Sequence, residues 1–181
     1  ESLLRAAIGA GACIVNDIIP FDEDSAMAEV VRETSAGVVL MHMRGTPQTM
    51  TRHAAYGDVV AEVEQALRRA VDFAVSKGVG LDRLVVDPVI GFEKNTAQNV
   101  AVLAATERLA RLAPLMVGAS RKRFIGELCG EADAAERVGG SVGAAVWCAL
   151  NGVSVVRVHD VKATRQALTV AGELERARSF G

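Results

Sequence analysis

Aromatic residues, cysteines and an excess of either charge are all scarce in this chain of 181 residues. Aromatic side chains make up 4% of it, which argues against a surface that stacks nucleic-acid bases. The 20 basic and 22 acidic residues leave a net charge of -2, so phosphate-driven binding to nucleic acid is not expected. Cys13, Cys129 and Cys148 are far apart and form no CxxC pair. This excludes a disulfide scaffold and a zinc ribbon, and a reducing cytoplasm is the expected location.

Long hydrophobic runs are missing as well. The richest apolar stretch, 142–156, is interrupted by Asn151 and Gly152 and is shorter than the roughly 18 residues that a membrane span needs. With no signal peptide recognisable at the start, we expect a protein that does not associate with membranes. Half of the residues are apolar and 23% are charged, enough material for one buried core. The sequence predicts a single domain over 1–181.

Short β-branched segments alternate with longer amphipathic ones along the chain. The predicted strands are 12–18, 37–43, 84–86, 115–118 and 153–158. The predicted helices are 1–10 (the end of a helix), 22–34, 57–76, 95–112, a segment from about 121, 137–150 and 163–178. The strands are apolar runs without alternation, which is typical of parallel strands covered on both faces. We therefore predict an α/β fold. Five βα units do not close a barrel, so the sheet is either open and doubly wound or the C-terminal part of a larger barrel.

Polar residues gather where these strands end, which is where α/β proteins carry their chemistry. Asn16 lies near the end of the first strand and Asp87 follows the third, although each is also a common turn residue. An ionised Asp87 accepts two hydrogen bonds from a flat amidine-like edge. His42 lies near the end of the second strand, between Met41 and Met43, and such a histidine is more often a satisfied core or rim residue than a catalyst. No HExxH, Walker A or GxGxxG pattern is present.

The strongest signals are cationic. Arg121, Lys122 and Arg123 follow the fourth strand at a predicted helix start, where positive charge opposes the helix dipole and favours an anionic or electron-rich ligand. Arg123 suits a solvated face equally well. Arg157 and His159 are two residues apart at the end of the predicted fifth strand, with both side chains expected on the same side, an arrangement that suits a phosphate or pyrophosphate. The alternative for Arg157 is a structural ion pair with Asp160 or another carboxylate.

Five sequence motifs occur together in this chain. They are VNDI (15–18), LMHMRGTPQTM (40–50), VVDPVIGFEKN (85–95), VGASRKRFIG (117–126) and VRVHDV (156–161). In order and spacing they resemble the dihydropteroate synthase family over about 7–173. The resemblance implies a TIM-type (β/α)8 barrel, of which this chain supplies about the last five βα units.

The resemblance also implies an activity in folate synthesis. The family condenses 6-hydroxymethyl-7,8-dihydropterin pyrophosphate with p-aminobenzoate to 7,8-dihydropteroate and pyrophosphate, with Mg2+ as the cofactor, and commonly forms homodimers through its last helices. It implies small-molecule substrates rather than nucleic acid. The implied catalytic residues are Lys122, Arg157 and His159. The implied pterin contacts are Asn16, Met41, Asp87, Phe92, Gly118, Lys122 and Arg157, the p-aminobenzoate contacts are Ser120 and Arg121, and the pyrophosphate contacts are Arg157 and His159.

Two residues depart from the family pattern. Val89 stands where glycine is usual, and Glu93, where glycine or alanine is common, is expected at the solvent rim. The family's first three strands, with two mobile loops, a pterin-binding Asp and an Asn near the metal, have no counterpart here, so we expect the magnesium ligand outside this chain. Two alternatives stay open: another pterin-binding barrel, such as a methyltetrahydrofolate:corrinoid methyltransferase, and a truncated, non-catalytic binding or assembly module.

Overall fold

Parallel strands and helices alternate along the chain, as the sequence predicts. The computed structural model describes residues 2–16, 26–43 and 56–178. Its strands are β1 (Ile14–Asn16), β2 (Gly37–Met41), β3 (Leu84–Asp87), β4 (Met116–Val117) and β5 (Val155–Val156). Its helices are α1 (Ser2–Gly9), α2 (Ala26–Glu33), α3 (Val59–Ser76), α4 (Thr96–Ala104), α5 (Thr106–Leu109), α6 (Arg123–Cys129), α7 (Val138–Leu150) and α8 (Val161–Arg178). The predicted strand residues 17–18 and helix residues 22–25 lie outside the described residues.

The strands lie side by side in the order in which they occur in the chain. β1 pairs with β2, β2 with β3 and β4 with β5, all in parallel. A single parallel bridge between Val86 and Leu115 connects β3 to β4. A doubly wound sheet reverses its strand order at one point, whereas a βα barrel continues in one direction. The described strands therefore have the succession of a barrel-type α/β fold.

The core lies between the strands and the helices that cross over them. Val38, Val39 and Leu40 are three consecutive buried residues of β2, so both faces of this strand are covered. Val63 and Leu67 of α3 are completely buried within the same hydrophobic cluster. The prediction of strands covered on both faces is thus confirmed for β2. Within the described ranges, no helix combines the length and the apolar character that a membrane crossing requires.

Helix α3 has local signals at both ends that explain its bounds. The Asp58 carboxylate accepts hydrogen bonds from the backbone N–H groups of Val60 and Ala61, at 3.1 and 3.0 Å. The Glu62 carboxylate in turn accepts from the N–H group of Asp58 at 3.1 Å. At the other end Gly78 has a φ of 87°, which ends the helix. The predicted helix over 57–76 is confirmed to within two residues at its start.

Two predicted elements differ in the structure. The predicted helix 95–112 divides into α4 and α5, where the buried hydroxyl of Thr106 donates to the carbonyl oxygen of Leu103 at 3.0 Å. The predicted strand 153–158 is shorter, because β5 ends at Val156. Arg157 therefore lies just after β5, so its predicted place within the strand was wrong, and His159 follows it in the same loop.

Candidate functional site

The carboxyl ends of the parallel strands meet at one edge, and most of the candidate residues lie there. Asp87 ends β3 beside Met41, its register partner on β2. Arg157 follows β5, and its Nη2 atom is 3.9 Å from Oδ2 of Asp87. Asn16 ends β1 with its side chain exposed. The structure thus brings Asp87 and Arg157 together, whereas it shows no direct contact between Asn16 and either of them.

Asp87 is a buried carboxylate with cations around it. Only 2% of the residue is exposed. Its Oδ1 atom accepts a hydrogen bond from the N–H group of Val89 at 2.8 Å. Burial raises the pKa of Asp87 above its usual value, and this is partly offset by the Val89 N–H group and by Arg157, Lys122 and Lys94. Because these cations favour the charged form, Asp87 is suited to accept hydrogen bonds from a planar donor edge.

The backbone beside Asp87 is unusual. Val89, Phe92 and Arg121 have φ angles of 54°, 56° and 59°, and they are the non-glycine residues with positive φ in the described part of the chain. For a β-branched residue such as Val89 this is a true outlier. Conformations of this kind cost about 1–3 kcal/mol each and persist where the surrounding structure enforces them, often at functional sites.

Lys122 lies across the loop that follows β3. Its Nζ atom is 4.0 Å from the centre of the Phe92 ring. The aliphatic stem approaches Gly91 so closely that its Cδ atom would lie 3.2 Å from a Cβ at that position. Burial lowers the pKa of Lys122, as does the charge of Arg157, while Asp87 and Glu93 raise it. Lys122 and Phe92, which is half exposed, therefore form a cationic and aromatic wall beside Asp87.

Arg157 depends on the glycine that follows β4. A Cβ atom at Gly118 would lie 2.9 Å from Nη2 of Arg157 and 3.1 Å from its Nε atom. Any side chain there would displace the guanidinium from its place near Asp87. The carboxylate near Arg157 is Asp87, whereas Asp160 pairs with Arg121, so the alternative of an ion pair holds for another carboxylate and not for Asp160.

Ser120 and Arg121 connect the β4 and β5 loops. The Nδ1 atom of His159 lies 3.0 Å from the Ser120 hydroxyl oxygen. The Nε and Nη2 atoms of Arg121 donate to the two carboxylate oxygens of Asp160, at 3.0 and 2.6 Å. This pair holds the pKa of Asp160 below its usual value. The backbone N–H group of Arg121 donates to the Ser141 hydroxyl at 2.9 Å, which fixes the positive-φ turn to α7.

A second group of charged residues lies behind Asp87 and was not predicted. Glu93 is 2% exposed, so its expected place at the solvent rim was wrong. One carboxylate oxygen, Oε1, lies 2.7 Å from Nζ of Lys94, 3.1 Å from the Tyr56 hydroxyl and 3.5 Å from Nδ1 of His42. Burial alone raises the pKa of Glu93, but His42 and Lys94 more than offset this and lower it to about 2. The expectation that His42 is a satisfied core residue is confirmed, since it is buried within this group.

Asn99 is a further residue that the motifs did not reveal. It is buried, its Oδ1 atom accepts from the Gly91 N–H group at 2.6 Å, and its Nδ2 atom donates to the carbonyl oxygens of Lys94 and Asn95. A polar residue on the inner face of an otherwise apolar helix was the one signal available in the sequence. No cluster of three His, Cys, Asp or Glu side chains able to hold a metal ion occurs within the described ranges.

The chain matches the family model described as pterin binding enzyme over residues 1–159. It is 42% identical over 164 residues to the dihydropteroate synthase of Neisseria meningitidis serogroup B, an alignment that covers 88% of this chain and 58% of the relative. It therefore spans less than two thirds of that relative's length.

Solved structures agree with this match. The Xanthomonas albilineans dihydropteroate synthase with 4-aminobenzoic acid superposes with a TM-score of 0.88 at 41% identity, covering 96% of this chain and 62% of that one. The Thermus thermophilus dihydropteroate synthase in complex with 6HMPPP superposes with a TM-score of 0.90 at 40% identity, covering 96% and 69%.

Proposed function

The chain belongs to the pterin-binding enzyme family, and from this membership we propose that it acts as a dihydropteroate synthase. The reaction joins the amine of p-aminobenzoate to the methylene carbon of 6-hydroxymethyl-7,8-dihydropterin pyrophosphate. A C–N bond forms, the C–O bond to the pyrophosphate breaks, and the pyrophosphate leaves with the electron pair while the amine loses a proton. The observation that carries the proposal is the buried Asp87 with Arg157 and Lys122 beside it.

Asp87 is the proposed recognition group for the pterin. A pterin presents a flat amidine edge with two N–H donors, and one buried carboxylate accepts both. Asn16 offers a donor and an acceptor from the end of β1, and Met41 and Phe92 supply apolar contact for the ring. Gly118 leaves room for the Arg157 guanidinium to lie flat near the same ring. Lys122 supplies a positive charge and a hydrogen-bond donor at the site.

Arg157 and His159 are the proposed contacts of the pyrophosphate. Negative charge develops on the leaving oxygen as the C–O bond breaks, and fixed cationic donors stabilise it. The side chain of Arg157 is half exposed, so one edge of its guanidinium faces solvent, where the pyrophosphate would bind. The neutral amine of p-aminobenzoate is itself the nucleophile, so the reaction requires no nucleophilic side chain. This arrangement favours a synthase over a methyltransferase, whose substrates carry no leaving pyrophosphate.

Ser120 and Arg121 are the proposed contacts of p-aminobenzoate. The bond of Arg121 to Asp160 uses its Nε and Nη2 atoms, which leaves Nη1 to donate to the carboxylate of the substrate. Ser120 is oriented by His159, so the two substrate contacts are coupled through this hydrogen bond.

Magnesium is part of the proposal only as an ion that arrives with the pyrophosphate. The described residues offer no cluster of three metal-ligating side chains. The two carboxylates next to the proposed substrate contacts, Asp87 and Asp160, are paired with Arg157 and Arg121. These residues do not fit a resident Mg2+ site.

We further propose that the chain supplies the last five βα units of a (β/α)8 barrel. Ile14 of β1 and Val155 of β5 are 62% and 44% exposed, as expected for strands that would pair with further units at both ends.

We also propose a homodimer that forms through α8, on which Val170 and Leu174 are 60% and 63% exposed.

The experiment that tests the function is calorimetric titration of the protein with 6-hydroxymethyl-7,8-dihydropterin pyrophosphate, with and without Mg2+. We expect binding that Asp87→Ala abolishes and that Asp72→Ala, an exposed acid on α3, leaves unchanged. Condensation with p-aminobenzoate is then measured by formation of 7,8-dihydropteroate. A folded protein that binds no pterin would overturn the proposal, and binding without condensation would favour the non-catalytic module.

A further inference from the structure

Three buried side chains and a partly buried tyrosine form a charged network next to the loop that follows Asp87. We call Glu93, Lys94, His42 and Tyr56 the Glu93 network. Both charged side chains of the Glu93–Lys94 pair are fully buried. The Lys94 Nζ atom is 2.7 Å from Oε1 of Glu93 and 3.3 Å from Nδ1 of His42. Moving an ion pair out of water costs free energy unless its geometry is good. We therefore look for the part of the protein that this pair positions.

Val89 connects the network to the carboxylate of Asp87, while the backbone N–H group of His42 donates to the Asp87 carbonyl oxygen at 2.9 Å. Nζ of Lys94 also donates to the carbonyl oxygen of Val89 at 3.0 Å. The N–H group of Val89 donates to Oδ1 of Asp87 at 2.8 Å. Val89 is the β-branched residue with a φ of 54°, a conformation that glycine adopts freely and valine does not. Lys94 thus binds the carbonyl oxygen of a strained residue whose N–H group orients the carboxylate of Asp87.

We propose that the Glu93–Lys94 pair is a positioning element that keeps Val89 in its left-handed conformation and thereby orients Asp87 toward the substrate. The identity of this substrate, the dihydropterin pyrophosphate, rests on the function proposed above. Glu93 has a specific part, because it is the carboxylate that neutralises Lys94. Without Glu93, Lys94 is no longer held at the Val89 carbonyl oxygen, and Val89 can leave its left-handed conformation.

The test compares pterin binding by Glu93→Gln with that by Glu64→Gln. Gln keeps the size of Glu and removes its charge, and Glu64 is a matched control because it pairs with Arg68 and Arg108 on a helix surface away from the site. In titration with 6-hydroxymethyl-7,8-dihydropterin pyrophosphate we expect Glu93→Gln to bind on the order of 10-fold more weakly, the factor that corresponds to about 1.4 kcal/mol. Glu64→Gln should bind as the unmodified protein does.

A second substitution separates positioning from simple support of the fold. Val89→Gly removes the need to enforce the left-handed conformation, so the double variant Val89→Gly/Glu93→Gln should recover most of the lost affinity. If Glu93 only stabilised the fold, the folded fraction of Glu93→Gln would bind the pterin normally, and that result would overturn the inference. Failure of Val89→Gly to restore binding would overturn it too. If Glu93→Gln does not fold, Tyr56→Phe, which removes one hydrogen bond to Glu93, should weaken binding about 2- to 3-fold.

The inference can fail independently of the proposed function. If the unmodified protein binds the pterin and Glu93→Gln binds equally well, the inference is wrong and the function stands. If no pterin binds, a double-mutant cycle in denaturant unfolding measures the coupling between Val89 and Glu93 instead. The free energy lost with the buried valine side chain is common to both backgrounds and cancels. Non-additive effects of Val89→Gly and Glu93→Gln support the coupling, and additive effects overturn it.

Discussion

Asp87 shows how a binding residue can work against the stability of its own fold. Burial raises its pKa, and the Val89 N–H group and three cations only partly offset this. A carboxyl group with a higher pKa in the folded than in the unfolded state binds protons more tightly when folded. The contribution of Asp87 to the free energy of unfolding therefore falls as the pH rises from the pKa of the unfolded state, 3.8, through the raised pKa of the folded state. At neutral pH the folded protein bears the full free-energy cost of the buried charge.

We expect Asp87→Asn to stabilise the protein and to weaken pterin binding. Asn keeps the Oδ1 acceptor for Val89 and removes the buried charge, so the melting temperature should rise at about pH 7.5, and the gain should shrink toward about pH 4. Pterin affinity should fall on the order of 100-fold, because a donor N–H₂ group replaces one acceptor oxygen. Thermal unfolding at both pH values and calorimetric titration measure these effects. A gain of the same size from Asp72→Asn, which is exposed, would contradict the explanation.

Single residues were predictable where a strand end marked them. Asp87 and Arg157 were expected at one edge, and they lie 3.9 Å apart between their charged atoms. Glu93 was not predictable in this way, because a charged residue in a loop is usually solvated. Its burial depends on Lys94 and on contacts from His42, 51 positions earlier in the chain, a pairing that no local pattern encodes.

At the scale of elements, capping explains why the best-defined helix was predicted so closely. Asp58 and Glu62 reciprocally satisfy the N–H groups at the start of α3, and this pattern is local in sequence. The break between α4 and α5, where the buried hydroxyl of Thr106 donates to Leu103, and the early end of β5 were not predictable, because the apolar pattern of the sequence continues through both.

We expect Asp58→Ala to destabilise the protein by about 1 kcal/mol, which lowers the melting temperature by roughly 2–4 °C in a domain of this size. The reason is the loss of the acceptor for the N–H groups of Val60 and Ala61. Asp72→Ala removes the same side chain from the exposed middle of the same helix, and it should change stability by less than about 0.5 kcal/mol. Equal losses in the two variants, measured by thermal unfolding, would show that the cap contributes nothing.

At the scale of the whole molecule, the alternation of strands and helices was predictable from the residue pattern, whereas the choice of a barrel over an open sheet came only from the family resemblance. Apolar runs establish that strands are buried on both faces, but they do not state which strand pairs with which. The strand order of β1, β2 and β3, together with the bridge from Val86 to Leu115, decides this in favour of the barrel-type succession. The same succession leaves β1 and β5 without a described neighbour on one side, so the molecule has two kinds of exposed apolar surface, strand edges and the face of α8.

These two surfaces predict different assemblies. Val170 and Leu174 are four residues apart on one face of α8, and an isologous contact between two such faces gives a closed dimer. Strand edges instead pair without a fixed limit, which gives larger aggregates. We expect Val170→Lys/Leu174→Lys to convert a dimer to a monomer in light scattering coupled to size exclusion, while Val75→Lys, which charges an exposed valine of α3, leaves the dimer intact. A dimer that survives the α8 substitutions and is lost in Ile14→Lys would place the contact at the β1 edge instead, because the charge would then interrupt strand pairing.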